Sequence, residues 1–253
     1  MEQTRTNFIK SLLIGATSVP VFVQACKKDS VSSTTTSSGS DSTGTSTGNT
    51  SSCTVMPTEE EGPFPYPGGE LKNPLERSDI TEGQTGIPTS YTFTVVNTNS
   101  SCAVISDARV DIWHCNKDGY YSGYDNQNGG VSGLATDYGG QTFFRGYQLT
   151  DSNGQAKFTS MYPGWYTGRA THVHIEVYVN NVLRKTSQVA FSESISNAVH
   201  VTSLYKAHGV NPISNNSDNV FGDSATNLAI EMLAMTGDTT NGYAATFTIG
   251  IAI

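Results

Sequence analysis

Between residues 91 and 251 the chain is a succession of short runs rich in β-branched and aromatic residues, parted by turn signals and nowhere sustaining a helical period. That pattern restricts the fold to a sheet protein. Strands are expected at 91–96, 109–115, 143–150, 155–159, 172–179, 182–191 and 243–251. Asn153-Gly154 reads as a hairpin turn joining the strands on either side, and Asn180-Asn181 as a second tight turn. The apolar run 229–235 is too short to divide between a helix and a strand. The expected fold is all-β, an antiparallel β-sandwich or barrel with little helix. Long loops at 54–89, 121–142 and 192–223 would cap it.

The first 52 residues lie outside this pattern. Arg5 and Lys10 precede an apolar stretch over 11–23, the layout of a secretory signal, and it ends in Val23-Gln24-Ala25-Cys26, which resembles a bacterial lipobox. Ser, Thr and Gly then fill most of 29–52, a composition that cannot bury a core. The expectation is a signal peptide over 1–25, a lipidated Cys26 opening a flexible linker over 26–52, and one folded domain over 53–253. The protein would be exported and attached to a bacterial membrane only through its lipid. Beyond the N-terminus no apolar run approaches the roughly 20 residues of a membrane-spanning helix. With 14 Lys and Arg against 22 Asp and Glu, the net charge of −8 argues against a nucleic-acid partner. In an oxidising compartment Cys53 and Cys102, both in Ser-rich polar sequence, are expected to form a disulfide. Cys115 ends an apolar strand and reads as a buried free thiol.

The chemistry is concentrated between Trp113 and Gln188. His172-Val173-His174 sits in a strand, where a period of two sets both imidazoles on one face, ready to offer two nitrogen ligands to one metal. Just upstream, Tyr162-Pro163-Gly164-Trp165-Tyr166-Thr167-Gly168-Arg169 carries a Pro-Gly turn that delivers a tyrosine and an arginine beside those imidazoles. A His-x-His pair alone fits other functions. One is a zinc hydrolase or lyase that takes its third imidazole from His200 or His208. Another is a lipid-anchored binding module without catalysis. Otherwise His114 reads as a hydrogen-bonded core residue, His200 and His208 as solvated loop residues, and Glu59-Glu60-Glu61 as a solvated segment.

From Cys53 to the C-terminus the sequence resembles the intradiol ring-cleavage dioxygenases of the catechol and protocatechuate type, in their exported single-domain form. The resemblance is carried, in order, by Thr58-Glu59-Glu60-Glu61-Gly62-Pro63-Phe64, Val110-Asp111-Ile112-Trp113-His114-Cys115-Asn116 and Asp118-Gly119-Tyr120-Tyr121-Ser122. It continues through Phe144-Arg145-Gly146-Tyr147-Gln148-Leu149-Thr150-Asp151, Tyr162-Pro163-Gly164-Trp165-Tyr166 and His172-Val173-His174. It implies a non-haem Fe(III) held by Tyr121, Tyr166, His172 and His174, with Tyr120 the rival for Tyr121. Phenolate and imidazole suit a hard trivalent ion. It further implies that the ring of a catechol-type substrate is cleaved with O2 between its hydroxylated carbons, giving a muconate-type dicarboxylate. Tyr166 would take a substrate proton, while Arg169 and Gln188 would stabilise charge developing on the substrate. Tyr166 and His172 are only six residues apart, a shorter segment than in the cytosolic enzymes, so ring substituents do not carry over. The helical dimerisation region of the cytosolic catechol enzymes has no counterpart before Tyr91, which leaves the oligomeric state open.

Overall fold

The computed structural model describes residues 54–134 and 137–253. The expected signal peptide, the lipidation site Cys26, the linker and Cys53 lie outside the described residues, and with Cys53 goes the expected Cys53–Cys102 bridge. Cys115 is a buried free thiol.

Among the described residues nine strands form two sheets. In the first, β1 (Pro88–Asn97) is central. β9 (Gly242–Ile251) pairs along one edge of it, and β5 (Gln155–Met161) and the short β2 (Ala103–Val104) share the other; β8 (Ala234–Asp238) pairs beyond β9. The second runs β4 (Arg145–Leu149), β3 (Arg109–Trp113), β6 (His172–Val179), β7 (Val182–Ala190), all antiparallel. The β1–β9 pair is parallel, where an antiparallel sandwich was expected. These two strands are joined by a connection most of the chain long, which frees their relative direction from any hairpin.

The turn signals separate in their consequences. Asn180 and Asn181 both adopt positive φ, 53° and 60°, and join β6 to β7 as a true hairpin. Asn153-Gly154 also turns the chain, with Gly154 at φ 70°. The strands on either side of it belong to different sheets, however, β4 pairing with β3 and β5 with β1. The expected hairpin is therefore a link between layers. The loop 192–223 contains α1 (Glu193–His200), and the ambiguous run 229–235 divides between α2 (Ala225–Glu231) and β8. Ser224 caps α2, its Oγ accepting from the amides of Thr226 and Asn227. No helix among the described residues is long and apolar enough to cross a membrane.

The core lies between the sheets. Phe93 and Val95 of β1, Phe158 of β5 and Ile249 of β9 share one buried cluster with Val110 and Ile112 of β3 and Val173, Ile175 and Val177 of β6. Burying each such side chain contributes roughly 1.5–3 kcal/mol. The alternate residues of β6, His172, His174 and Glu176, point away from this core and are nonetheless at most 3% exposed. A second layer covers them. The strap 54–64 is tied down where Glu59 N donates to Thr186 O at 3.1 Å and Lys185 Nζ donates to Met56 O at 2.6 Å. The site is thus built on the outer face of the second sheet, under this cover.

Candidate metal centre

His172 Nε2 and His174 Nε2 are 3.1 Å apart, and Tyr121 Oη lies 3.2 Å from the first and 3.1 Å from the second. Three polar atoms in a closed triangle need one proton per edge to be bonded to one another. His172 cannot supply one: its Nδ1 is 2.6 Å from Ala170 O, which assigns the ring proton there and turns the Nε2 lone pair inward. Burial holds both imidazoles well below the usual histidine range, with Arg169 adding to the effect on His172 and the His172 ring to that on His174. Neutral imidazoles and a phenol therefore converge on one point. Burial also pushes the Tyr121 phenol well above its ordinary range, so ionising it there requires a cation. This donor set fits a metal ion.

Each candidate ligand is held by its own device. His174 lacks a hydrogen-bond partner at Nδ1 and is wedged instead. The indole of Trp113, opposite it in the register, stacks on it at 4.8 Å and 5°. On another side, a Cβ at Gly62, where φ is +78°, would come within 2.9 Å of His174 Cε1. Only glycine lets the strap pass so close in that conformation. Tyr121 follows a turn built by Asn116, whose Oδ1 accepts from the amides of Asp118 and Tyr120. Its backbone is clamped by Gln127, which accepts from Tyr121 N and donates to Tyr121 O, both at 2.7 Å. Phe64 stacks on its ring at 4.5 Å. Tyr120 points elsewhere, donating to Val131 O at 2.7 Å.

Tyr166 is half-buried, its ring 5.7 Å from that of His172 and 5.9 Å from that of Tyr121. Burial raises its phenol, while the neighbouring Arg169 guanidinium opposes the rise. The segment carrying both is gripped from two loops: Thr167 N donates to Gly129 O at 2.9 Å, and Trp165 Nε1 donates to Gly209 O at 3.0 Å. Arg169 Nη2 donates to Gln188 Oε1 at 2.7 Å, and Gln188 Nε2 donates to Glu60 O at 2.9 Å. All six expected site residues therefore come together, with Gln188 engaging Arg169 directly. The third imidazole of a zinc site does not join them. His200 is buried in α1, where its Nδ1 faces Asn211 N, and His208 stacks on Trp165 at 3.6 Å, so neither is the solvated residue expected. Among the described residues no three His, Cys, Asp or Glu side chains gather as a metal site. His114 is buried, with Nε2 2.8 Å from Ser160 Oγ. In the acidic run Glu60 is exposed, while Glu59 and Glu61 are half-buried. Gln127 and Asp218, which grip Tyr121 and Arg169, escaped sequence reasoning; both sit in loops with no local pattern to mark them.

No family model and no curated protein matches the sequence. Solved structures do. An intradiol ring-cleavage dioxygenase from Tetranychus urticae superposes with a TM-score of 0.68 at 26% identity, over 79% of this chain and 95% of that one. That likeness supports the intradiol ring-cleavage dioxygenases as the family of this chain. Two further structures share the fold at lower identity. The dioxygenase domain of a carbohydrate-binding fusion protein from Streptomyces sp. SirexAA-E has a TM-score of 0.54 at 19% identity, over 79% and 99% of the two chains. The 3-chlorocatechol 1,2-dioxygenase of Rhodococcus opacus 1CP has 0.52 at 18%, over 78% and 72%. All three matches span most of this chain's described residues.

Proposed function

We propose that this intradiol dioxygenase is a non-haem ferric enzyme that opens the ring of a catechol-type aromatic between its two hydroxylated carbons, using O2 and releasing a muconate-type dicarboxylate. The observation that carries the reading is the triangle of Tyr121 Oη, His172 Nε2 and His174 Nε2, with edges of 3.1–3.2 Å and the Tyr166 ring beside it. Tyr121, Tyr166, His172 and His174 would hold the iron. Bound there, a ferric ion supplies the Lewis acidity that activates a chelated catechol toward dioxygen.

The chain's own residues divide the remaining work. Tyr121 is fully buried and stacked, suited to stay in place. Tyr166 is half-buried and lies near the Arg169 guanidinium, whose charge lowers its phenol against the rise from burial. It can give up its position to the incoming substrate and accept a hydroxyl proton at Oη. Arg169 then presents a fixed positive charge to the electron density that builds on the ring, in a pocket where water competes poorly. Gln188 holds that guanidinium from β7. Export on the 1–25 signal peptide and anchoring through Cys26 would set this chemistry at the membrane surface, where Cys26→Ser should release the protein from the membrane fraction.

The reading is tested by purifying the protein with ferric iron and screening catechol, protocatechuate and hydroxyquinol for oxygen uptake. A tyrosinate-to-iron charge-transfer colour that shifts on adding substrate, with one O2 consumed per ring opened, is the expected result. A colourless iron-loaded protein would overturn the ligand set.

A further inference from the structure

Arg169 and the backbone N–H of Ala170 are both held by one carboxylate from a distant loop. Asp218 Oδ2 accepts from Arg169 Nε at 2.9 Å and from Ala170 N at 2.6 Å, while Oδ1 accepts from Arg169 Nη2 at 3.2 Å and Val220 N at 2.8 Å. Asp218 is 2% exposed and Arg169 6%. The Ala170 carbonyl, in the next peptide unit, faces the site, 2.6 Å from His172 Nδ1. We propose that Asp218 is the positioning residue of this active site, fixing the Arg169 guanidinium in its plane and, through the backbone of Ala170, the ring of His172. The inference rests on the role given to Arg169 under the proposed function, and it assigns to the 211–223 loop the task of orienting that charge.

The geometry leaves little freedom once this carboxylate is in place. A fork of two N–H groups on two oxygens sets both the position and the plane of a guanidinium, which a single contact cannot. Gln188 takes a further hydrogen of Nη2, so Nη1 is the nitrogen left to face Tyr166 and the substrate. Asp218 fixes the N–H of Ala170 and His172 its carbonyl, in two consecutive peptide planes joined at one Cα, so a shift of the carboxylate reaches the imidazole through the backbone of a single residue. Partners of this kind behind a metal-binding imidazole typically change activity or metal affinity by roughly 10–100-fold when removed.

The test compares Asp218→Asn with Asn215→Ala. Asn215 anchors the same loop through Nδ2 to Phe191 O and touches neither Arg169 nor Ala170, so it controls for simple loosening. The first readout needs no turnover: the ¹⁵Nε–H resonance of Arg169, identified by its loss in Arg169→Gln. It should be sharp and slow to exchange in the wild type and in Asn215→Ala, and lost or shifted in Asp218→Asn. The second is kinetic. Asp218→Asn should lower kcat by roughly 10–100-fold with catechol affinity by optical titration little changed, and should add nothing in an Arg169→Gln background. An unshifted Arg169 resonance, or a full additional loss in that background, would overturn the proposal. Should Asp218→Asn not fold, Asp218→Glu and the wild-type resonance decide: a wild-type Nε–H exchanging as fast as a free guanidinium refutes it. A wild type that cleaves no catechol would sink the functional reading instead, and the resonance would still report on Asp218.

Discussion

The imidazole of His174 lies flat on the indole of Trp113, ring centroids 4.8 Å apart and planes 5° apart. The two residues are cross-strand neighbours on β6 and β3, and His174 has no hydrogen bond at Nδ1 to hold it otherwise. Packing therefore does for His174 what the Ala170 carbonyl does for His172. Trp113→Phe should keep a flat surface under the ring and most of the iron affinity. Trp113→Ala should cost about 3–5 kcal/mol of stability and weaken iron retention by roughly 10–100-fold. Urea unfolding and competition with a chelator measure the two effects separately. Equal iron affinity in both variants would mean that the stack does not orient the ligand.

Gly62 presses on the same ring from the strap. Gly62→Ala meets a positive φ of 78° and a Cβ 2.9 Å from His174 Cε1, whereas Gly83→Ala meets a similar φ of 72° with open space around it. The pair isolates the contact from the backbone strain. Both should lose about 1 kcal/mol from the left-handed conformation. Only Gly62→Ala should also weaken iron binding and shift the charge-transfer band.

What the sequence made legible follows the range of each interaction. Period-two alternation over 172–178 is local, and it predicted that the imidazoles of His172 and His174 share one face. The choice between Tyr120 and Tyr121 was open because they lie in a loop after β3, where alternation sets no direction; the Asn116 turn and the Gln127 clamp set it instead. Asn153-Gly154 was recognised as a turn, but which sheet receives each flanking strand depends on β1 and β3, far away in the chain. Asp218 is farther still from any readable pattern. It is one acid in a loop, and its meaning appears only when Arg169, 49 residues earlier, is folded against it.

The two adjacent tyrosines should respond oppositely to loss of a hydroxyl. Tyr121→Phe removes the oxygen 3.1–3.2 Å from both imidazoles and should weaken iron binding and alter the charge-transfer band. Tyr120→Phe removes a hydrogen bond to Val131 O, leaving a buried carbonyl unpaired. That should cost on the order of 1–3 kcal/mol in stability with the band unchanged. Absorption spectra and thermal melts of the two variants, taken side by side, check the assignment. A bleached band in Tyr120→Phe would reverse it.

The last prediction concerns a carboxyl pair behind the strap. Glu231 of α2 is fully buried beside Glu59, and both of its carboxyl oxygens lack a hydrogen-bond partner, with Asp223 and Asp218 adding negative charge. Burial first, and then Glu59, push the Glu231 carboxyl well above the 4.5 of an ordinary glutamate. Above that pH the unfolded chain has released its proton while the folded chain still holds it. The folded state then binds more protons, so stability must fall as pH rises from about 4.5 until Glu231 titrates in the folded protein. The slope from one such group is at most about 1.4 kcal/mol per pH unit. Glu231→Gln keeps the shape and has no proton to lose. Its unfolding free energy should match the wild type's dependence below pH 4.5 and gain on it steadily toward alkaline pH. Urea unfolding at pH 4, 6 and 8 makes the comparison, and parallel profiles for the two proteins would show that Glu231 takes up no proton on folding.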